Sequence, residues 1–145
     1  SSLIESKQTY GQVETNLRTL ALRDGETLTG SRQLQGQSPY LINASLDFNN
    51  QNGTRAGLYF NMQGKTLEVA GAGYNPDIYT HPFERLNFTF SKSFGQESKK
   101  SINLKVENIL GSKRESFAES FRSIDQIYTF RDPGVKFSLG YSINL

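Results

Sequence analysis

Strict alternation of apolar and polar side chains over several long runs is the feature that most constrains the fold of this chain. The clearest run covers residues 40–49, and its apolar members share one face: Tyr40, Ile42, Ala44, Leu46 and Phe48. A helix would need a period of 3.6 residues, whereas a β-strand has a period of two. Further alternating runs cover residues 55–63, 85–94, 102–110 and 135–145. The sequence therefore predicts an all-β protein whose strands each have one apolar and one polar face.

The connections between these runs alternate in length. Long polar segments cover residues 11–39, 71–82 and 111–133, and short polar turns cover residues 49–53 and 95–100. An antiparallel meander with long loops at one end and tight turns at the other is typical of outer-membrane barrels. A soluble sandwich has no physical reason to segregate loop length so regularly, so this pattern favours a barrel.

Local signals refine the outline. Asn52-Gly53 is the dipeptide that most easily supplies two positive-φ residues in a tight hairpin. After Gly64-Lys65 the apolar phase slips from even to odd positions, which predicts a glycine-assisted bulge. Glycines and prolines predict a loop over residues 71–82. At the amino end, residues 3–10 are predicted to form a weaker strand, followed by a polar stretch.

Composition excludes several classes of function. The 145 residues carry 16 Lys and Arg against 14 Asp and Glu, and a net charge of +2 is too balanced for a nucleic-acid-binding surface. The chain has no Cys and a single His, which excludes thiol nucleophiles, zinc–thiolate sites and multi-histidine metal sites. The mean hydropathy is −0.55. The sequence contains no apolar run of about 18 residues, so it predicts no transmembrane helix.

Side chains capable of chemistry are few. His81 has Asp77 and Glu84 nearby in the sequence, but a single His in a proline-bounded loop is more often solvated than bound to a metal. Glu115 and Glu119 are paired carboxylates with no nucleophile beside them. We therefore expect no catalytic residue, no metal site and no cofactor, and we do not expect an enzyme.

Alternating strands of this kind fit two environments. In a soluble β-sandwich the apolar faces would meet across a core about 10 Å thick. In a transmembrane barrel they would contact lipid, and the polar faces would line the interior. Lys92 interrupts the apolar face near a strand end, where its stem can extend to a membrane interface. Six strands cannot close a transmembrane barrel, whose minimum is about eight, so a barrel would require further strands.

The segment 138–145 (SLGYSINL) resembles the carboxy-terminal β-signal by which bacterial outer-membrane barrels are recognised for folding. The matching positions are Ser138, Gly140, Ile143 and Leu145. Leu145 stands where the signal usually has an aromatic residue. An exposed terminal edge strand is a template for strand addition, which provides a mechanism for such recognition.

Four more segments resemble motifs of TonB-dependent receptors of the Bacteroidetes type. Residues 32–40 (RQLQGQSPY) are similar to the family's R-x-L-Q-G-Q-S-P-Y, and residues 76–86 (PDIYTHPFERL) to its P-D-x-Y-x-x-P-x-x-x-L. Residues 106–110 (VENIL) are similar to V-x-N-L-L, and residues 132–137 (DPGVKF) to x-P-G-x-x-F. Together these segments span residues 32–145 in the order of the family.

This resemblance implies that residues 1–145 are the last five or six strands of a plugged barrel of 22 strands, with the plug and the earlier strands outside this chain. It implies a receptor in the bacterial outer membrane that imports a scarce nutrient, such as a glycan, siderophore or peptide. The implied partners are the remainder of the barrel and its plug, outer-membrane lipid, a TonB-type energising protein and the barrel assembly machinery. A surface lipoprotein caps the barrel in related glycan importers, and the resemblance leaves that partner open here. Nucleic acid is not an expected partner.

In such a barrel the polar face would line the lumen. Five side chains on that face are candidates to contact the plug or the solute, with the plug favoured: Arg55, Tyr59, Asn61, Gln63 and Lys105. Two alternatives stay open. One is a secreted soluble β-sandwich that binds carbohydrate or protein through its loops. The other is a large outer-membrane barrel that serves secretion or adhesion.

Overall fold

The computed structural model describes residues 2–3, 6–94 and 100–143. In chain order its elements are β1 (Ser2–Leu3), β2 (Lys7–Thr9), α1 (Gln12–Leu20), β3 (Ser31–Gln33), β4 (Tyr40–Asn50), β5 (Thr54–Gln63), β6 (Thr66–Val69), β7 (Asp77–Thr80), β8 (Phe83–Phe94), β9 (Lys100–Glu107), β10 (Arg114–Glu119), β11 (Gln126–Arg131) and β12 (Lys136–Ile143). The described part of the chain is mostly β-strand, and the expectation of an all-β protein is confirmed at this level apart from one short helix.

The main sheet has six strands in the order β1-β4-β5-β8-β9-β12, and all neighbouring pairs are antiparallel. Its five long strands follow one another in chain order, as in a meander. The register places apolar positions opposite apolar positions across the sheet, for example Leu46 opposite Leu58 and Leu58 opposite Phe88. The antiparallel strands predicted from alternation are therefore confirmed.

The turn between β4 and β5 differs in detail from the prediction. Gly53 has φ +69° and its N–H donates to the carbonyl of Asn50, so one glycine supplies the left-handed position of a three-residue loop. Asn52 does not have a positive φ. The hairpin is thus present, but it needs one positive-φ residue and not two.

A second sheet, of four strands in the order β11-β10-β7-β6, is formed by two of the long connections. The predicted loop at 71–82 contains β7, and the long polar connection at 111–133 contains the β10–β11 hairpin, so the prediction that these segments are loops is wrong. The predicted bulge after Gly64-Lys65 is also reinterpreted. The phase slips there because the chain leaves the main sheet after Gln63 and enters β6, although β6 has its own register shift between Leu67 and Val69.

The amino-terminal connection is more structured than expected. The predicted strand at 3–10 is divided between β1, which pairs with β4, and β2, which pairs with β3. The polar stretch after it contains α1, a nine-residue helix stabilised by an ion pair between Arg18 and Glu14. No helix among the described residues has both the length and the apolar composition needed to cross a membrane.

The described residues bury little apolar surface. Leu67 is the one apolar side chain among them that is fully buried, and the other buried side chains are polar: Ser38, Thr66, Thr80, Asn108 and Ser116. The chain exposes 10125 Å², whereas a compact monomer of 16.3 kDa exposes about 7,500 Å². Hydrophobic burial within this chain is therefore unusually small for its size.

Candidate functional site

The apolar face of the main sheet is continuous and largely uncovered. It extends over five strands, and its exposed members include Ile42, Leu46, Phe48, Leu58, Phe94, Ile102, Phe137, Leu139, Tyr141 and Ile143. Leu46 is 72% exposed and Leu139 is 78% exposed, although both lie in the middle of their strands. Exposed apolar patches of this extent mark surfaces that contact another protein or a membrane.

The register places Lys100 on this apolar face, opposite Phe94 and Ile143. Lys92 lies on the same face, but its ammonium group does not remain over the apolar side chains. Its Nζ donates to the carbonyl of Asn52 at 2.9 Å and to Oγ1 of Thr54 at 2.8 Å, both at the turn end of the sheet. Phe94 and Tyr141 lie near the same end, with their ring centroids 6.4 Å apart. The charge is thereby kept at the rim of the apolar face.

The opposite, polar face borders a cavity of about 690 Å³. Three of the five side chains predicted to line a lumen, Arg55, Tyr59 and Lys105, lie at this cavity. The phenol of Tyr59 donates to Asp47 at 2.6 Å, and Lys105 forms an ion pair with Glu107 at 3.1 Å. The strand register places Lys105, Thr89 and Gly57 in one row across the sheet, so these side chains share a face as the alternation predicted.

Asn61 and Gln63 lie on the same polar face but outside the cavity lining. The amide of Asn61 donates to Asn43 on the neighbouring strand. Gln63 donates to Thr66 at 3.1 Å, at the point where the chain turns into the second sheet. The structure therefore divides the five predicted residues between the cavity and the end of the sheet nearest the long connections.

The proposed folding signal lies on an edge of the main sheet. β12 pairs with β9 on one side, with Ser138 opposite Lys105, Gly140 opposite Asn103 and Ile143 opposite Lys100. All eight residues of β12 are exposed. Leu145, the last position of the signal, lies outside the described residues. An exposed edge strand of this length presents unpaired N–H and C=O groups to a further strand.

The four-stranded sheet is joined by a partly buried polar network that the sequence did not reveal. Glu68 accepts hydrogen bonds from Thr80, at 2.7 Å, and from Ser116. Those hydrogen bonds, with weaker attraction from nearby arginines, hold the pKa of Glu68 below its usual value. The network links one residue from each of β6, β7 and β10. Because these residues are far apart in sequence, no local spacing could have grouped them.

A second polar cluster fixes the amino-terminal connection to β7. Arg18 and Arg32 both lie near Asp77, at 3.0 and 3.4 Å, and both donate to the carbonyl of Gly71. The ring of Tyr10 lies against both guanidinium groups. Burial raises the pKa of the Tyr10 phenol despite the nearby arginines. These side chains have a structural role, and α1 was detectable only from the spacing of Val13, Leu17 and Leu20.

The residues that the sequence placed near His81 do not gather around it. Asp77 is engaged with the two arginines, and Glu84 lies on β8. His81 is instead near Glu119, with 3.7 Å between Nε2 and Oε1. Glu115 and Glu119, which the sequence placed in the long polar segment 111–133, both belong to β10.

Asn108, in the VENIL segment, anchors the start of the last long connection. It is buried and has φ +56°. Its side-chain amide donates to the carbonyls of Ser112 and Gly134, and its backbone N–H donates to Asn87.

Comparisons of this chain with protein-family models, with curated proteins and with solved structures give no match.

Proposed function

We propose that this chain is the carboxy-terminal wall segment of an outer-membrane β-barrel of the TonB-dependent receptor type, which imports a scarce nutrient. The observation that carries the proposal is the division of the main sheet into an exposed apolar face and a polar face beside a cavity. Lipid-facing and lumen-facing residues of a transmembrane barrel alternate in this way.

The exposed apolar face favours this proposal over a soluble sandwich. A sandwich would cover that face with a second sheet, yet Phe137, Leu139 and Leu46 each remain more than 70% exposed. At about 25 cal/mol per Å² of apolar surface, such a face in water would carry a large unfavourable free energy. A bilayer would remove this cost without any further protein on that side.

Strand length and loop placement support the same proposal. β4, β5 and β8 have 11, 10 and 12 residues, close to the 9–11 residues of a tilted transmembrane strand. The three long connections all leave the same end of the main sheet, where they form α1, the β2–β3 pair and the four-stranded sheet. In the proposed barrel this end is extracellular.

The proposal assigns a role to each part of the chain. The apolar face contacts lipid, Arg55, Tyr59 and Lys105 contact the plug or the solute, and β12 carries the folding signal. The long connections contribute to recognition outside the cell. The chain itself performs no chemistry.

The first test is the mass and the extraction behaviour of the native polypeptide that carries these residues. We expect a polypeptide several times larger than 16.3 kDa that leaves purified membranes only with detergent. A cooperatively folded protein of this size in detergent-free buffer would exclude the barrel and support the loop-binding sandwich.

A globular plug upstream distinguishes uptake from secretion or adhesion. We expect a plug domain on the amino-terminal side of this segment and loss of nutrient-dependent growth on deletion of the TonB-type partner. A barrel without a plug would support the second alternative.

A further inference from the structure

Three potential metal ligands meet where the two long connections of the four-stranded sheet come together. His81 directly follows β7, Glu119 ends β10, and Asp125 lies in the turn before β11. One ligand atom from each residue lies within 4.8 Å of the other two. His81 and Glu119 are partly exposed and Asp125 is exposed, so a cation can reach the group from solvent.

The supporting contacts orient two of these ligands. Lys65 Nζ is 2.6 Å from Oε2 of Glu119, which leaves Oε1 as the oxygen nearer to His81. Lys65 is itself held over the ring of Tyr79, at 4.4 Å from its centroid. Ligating carboxylates in metal sites are commonly fixed by a second hydrogen-bonding partner of this kind.

The imidazole is positioned by stacking. The ring of His81 lies on Phe117 with 4.3 Å between centroids and 25° between planes. The backbone N–H of His81 donates to the carbonyl of Glu115 at 2.9 Å, which fixes the chain beside β10. The side chain therefore has a defined direction although it is partly exposed.

One imidazole nitrogen and two carboxylates form a donor set that suits Zn²⁺, with a fourth position left for water. Tetrahedral ligands at the usual zinc distances lie about 3.3 Å apart. Nε2 of His81 and Oε1 of Glu119 are 3.7 Å apart, and all three ligand atoms lie within 4.8 Å of one another. Binding therefore requires the ligands to approach one another by at most about 1.5 Å. Ca²⁺ and Mg²⁺ prefer six or more oxygen ligands, and one nitrogen with two carboxylates does not provide them.

We propose that His81, Glu119 and Asp125 bind a divalent cation of the Zn²⁺ class. The bound cation would connect the turn before β11 to the segment that joins β7 to β8. It would thus fasten the tip of one long connection to the base of the other. The proposal does not depend on transport, because it rests only on side chains within the four-stranded sheet and its turns.

Calorimetric titration with ZnCl₂ of the purified full-length polypeptide that carries these residues, in detergent, tests the site. We expect one site, with affinity lowered at least about tenfold in His81→Gln and in Asp125→Asn, since loss of a ligand exceeds the effect of losing a supporting contact. Asp24→Asn removes an equal charge from an exposed turn and is the matched control, with unchanged affinity expected. CaCl₂ and MgCl₂ in tenfold excess should not compete.

Asp125→Asn keeps the test valid even if the His81 variant misfolds, because Asp125 is an exposed turn residue. Circular dichroism of each variant checks the fold. Absence of Zn²⁺ binding to the wild-type protein, or binding that Asp125→Asn leaves unchanged, would overturn the proposal.

Discussion

Replacing Leu46 by Arg distinguishes whether the apolar face of the main sheet contacts lipid or water. Leu46 lies at the middle of β4, is 72% exposed, and is opposite Leu58 on β5. If lipid covers this face, the exposed part of the leucine contributes about 1–2 kcal/mol of apolar transfer. An arginine at the centre of a lipid-facing strand costs about 2–4 kcal/mol as a substitution. If water covers this face, the same change alters stability by less than about 0.5 kcal/mol.

The assay is equilibrium unfolding in urea of the full-length polypeptide that carries these residues, refolded into phosphatidylcholine vesicles and followed by far-ultraviolet circular dichroism. The matched control is Ser45→Arg, which places the same charge one residue earlier on the polar face of β4, opposite Tyr59. We expect Leu46→Arg to lower the free energy of unfolding by about 2–4 kcal/mol and Ser45→Arg to change it little. Equal effects of the two substitutions would refute the assignment of the apolar face to lipid.

Three further predictions concern the long connections. The pKa of Glu68 is lowered from 4.5 in the folded state, so its stabilising contribution is present above pH 4.5 and is lost as the pH falls through the folded pKa. Hydrogen exchange of the β7 amides should show this loss of stability at low pH in the wild-type protein and a weaker loss in Glu68→Gln. Equal pH dependence of exchange in the two proteins would contradict the prediction. Asp77→Ala removes one of the two carboxylates near Arg18 and Arg32 and leaves Glu14, at 2.6 and 3.8 Å, as the other. The local free energy of opening at β7 should therefore fall by about 1–3 kcal/mol in the same measurement. A change below about 1 kcal/mol would show that Glu14 and water replace the lost carboxylate. Gly71→Ala would place a Cβ inside van der Waals contact with the carbonyl oxygen of Asn75. The urea midpoint should therefore fall by an amount equivalent to about 1–3 kcal/mol. Gly30→Ala, where the added Cβ meets open space, serves as the control.

The long strands of the main sheet were predictable because each contains its own signal. Alternation over ten residues requires no knowledge of the partner strand, and the sheet register then follows from matching the apolar positions. The polar-face assignment of Arg55, Tyr59 and Lys105 came directly from that period. The hairpin at Gly53 was predictable for the same reason, since turn chemistry is local.

The four-stranded sheet was not predictable in this way. β7 has four residues between a proline-containing loop and Pro82, and β10 reads as a charged segment. Each strand exists because of a partner that is distant in sequence, as Thr80 and Ser116 illustrate by sharing Glu68. The β-propensity of four to six residues is too weak to predict such pairing. The grouping of His81 with Glu119 and Asp125 was missed for the same reason.

The pairing of β7 with β10 also restricts how the long connections can diverge among relatives. Four cross-strand pairs join residues 77–80 to residues 116–119. An insertion or deletion of one residue within either strand would move every following side chain to the opposite face. Length changes are therefore confined to the hairpin tips at residues 70–76 and 120–125, while the two paired strands must keep a constant length and covary. The pairing makes these connections one evolutionary unit, whose length can change only at the tips, where Gly71 and the proposed ligand Asp125 are expected to be retained.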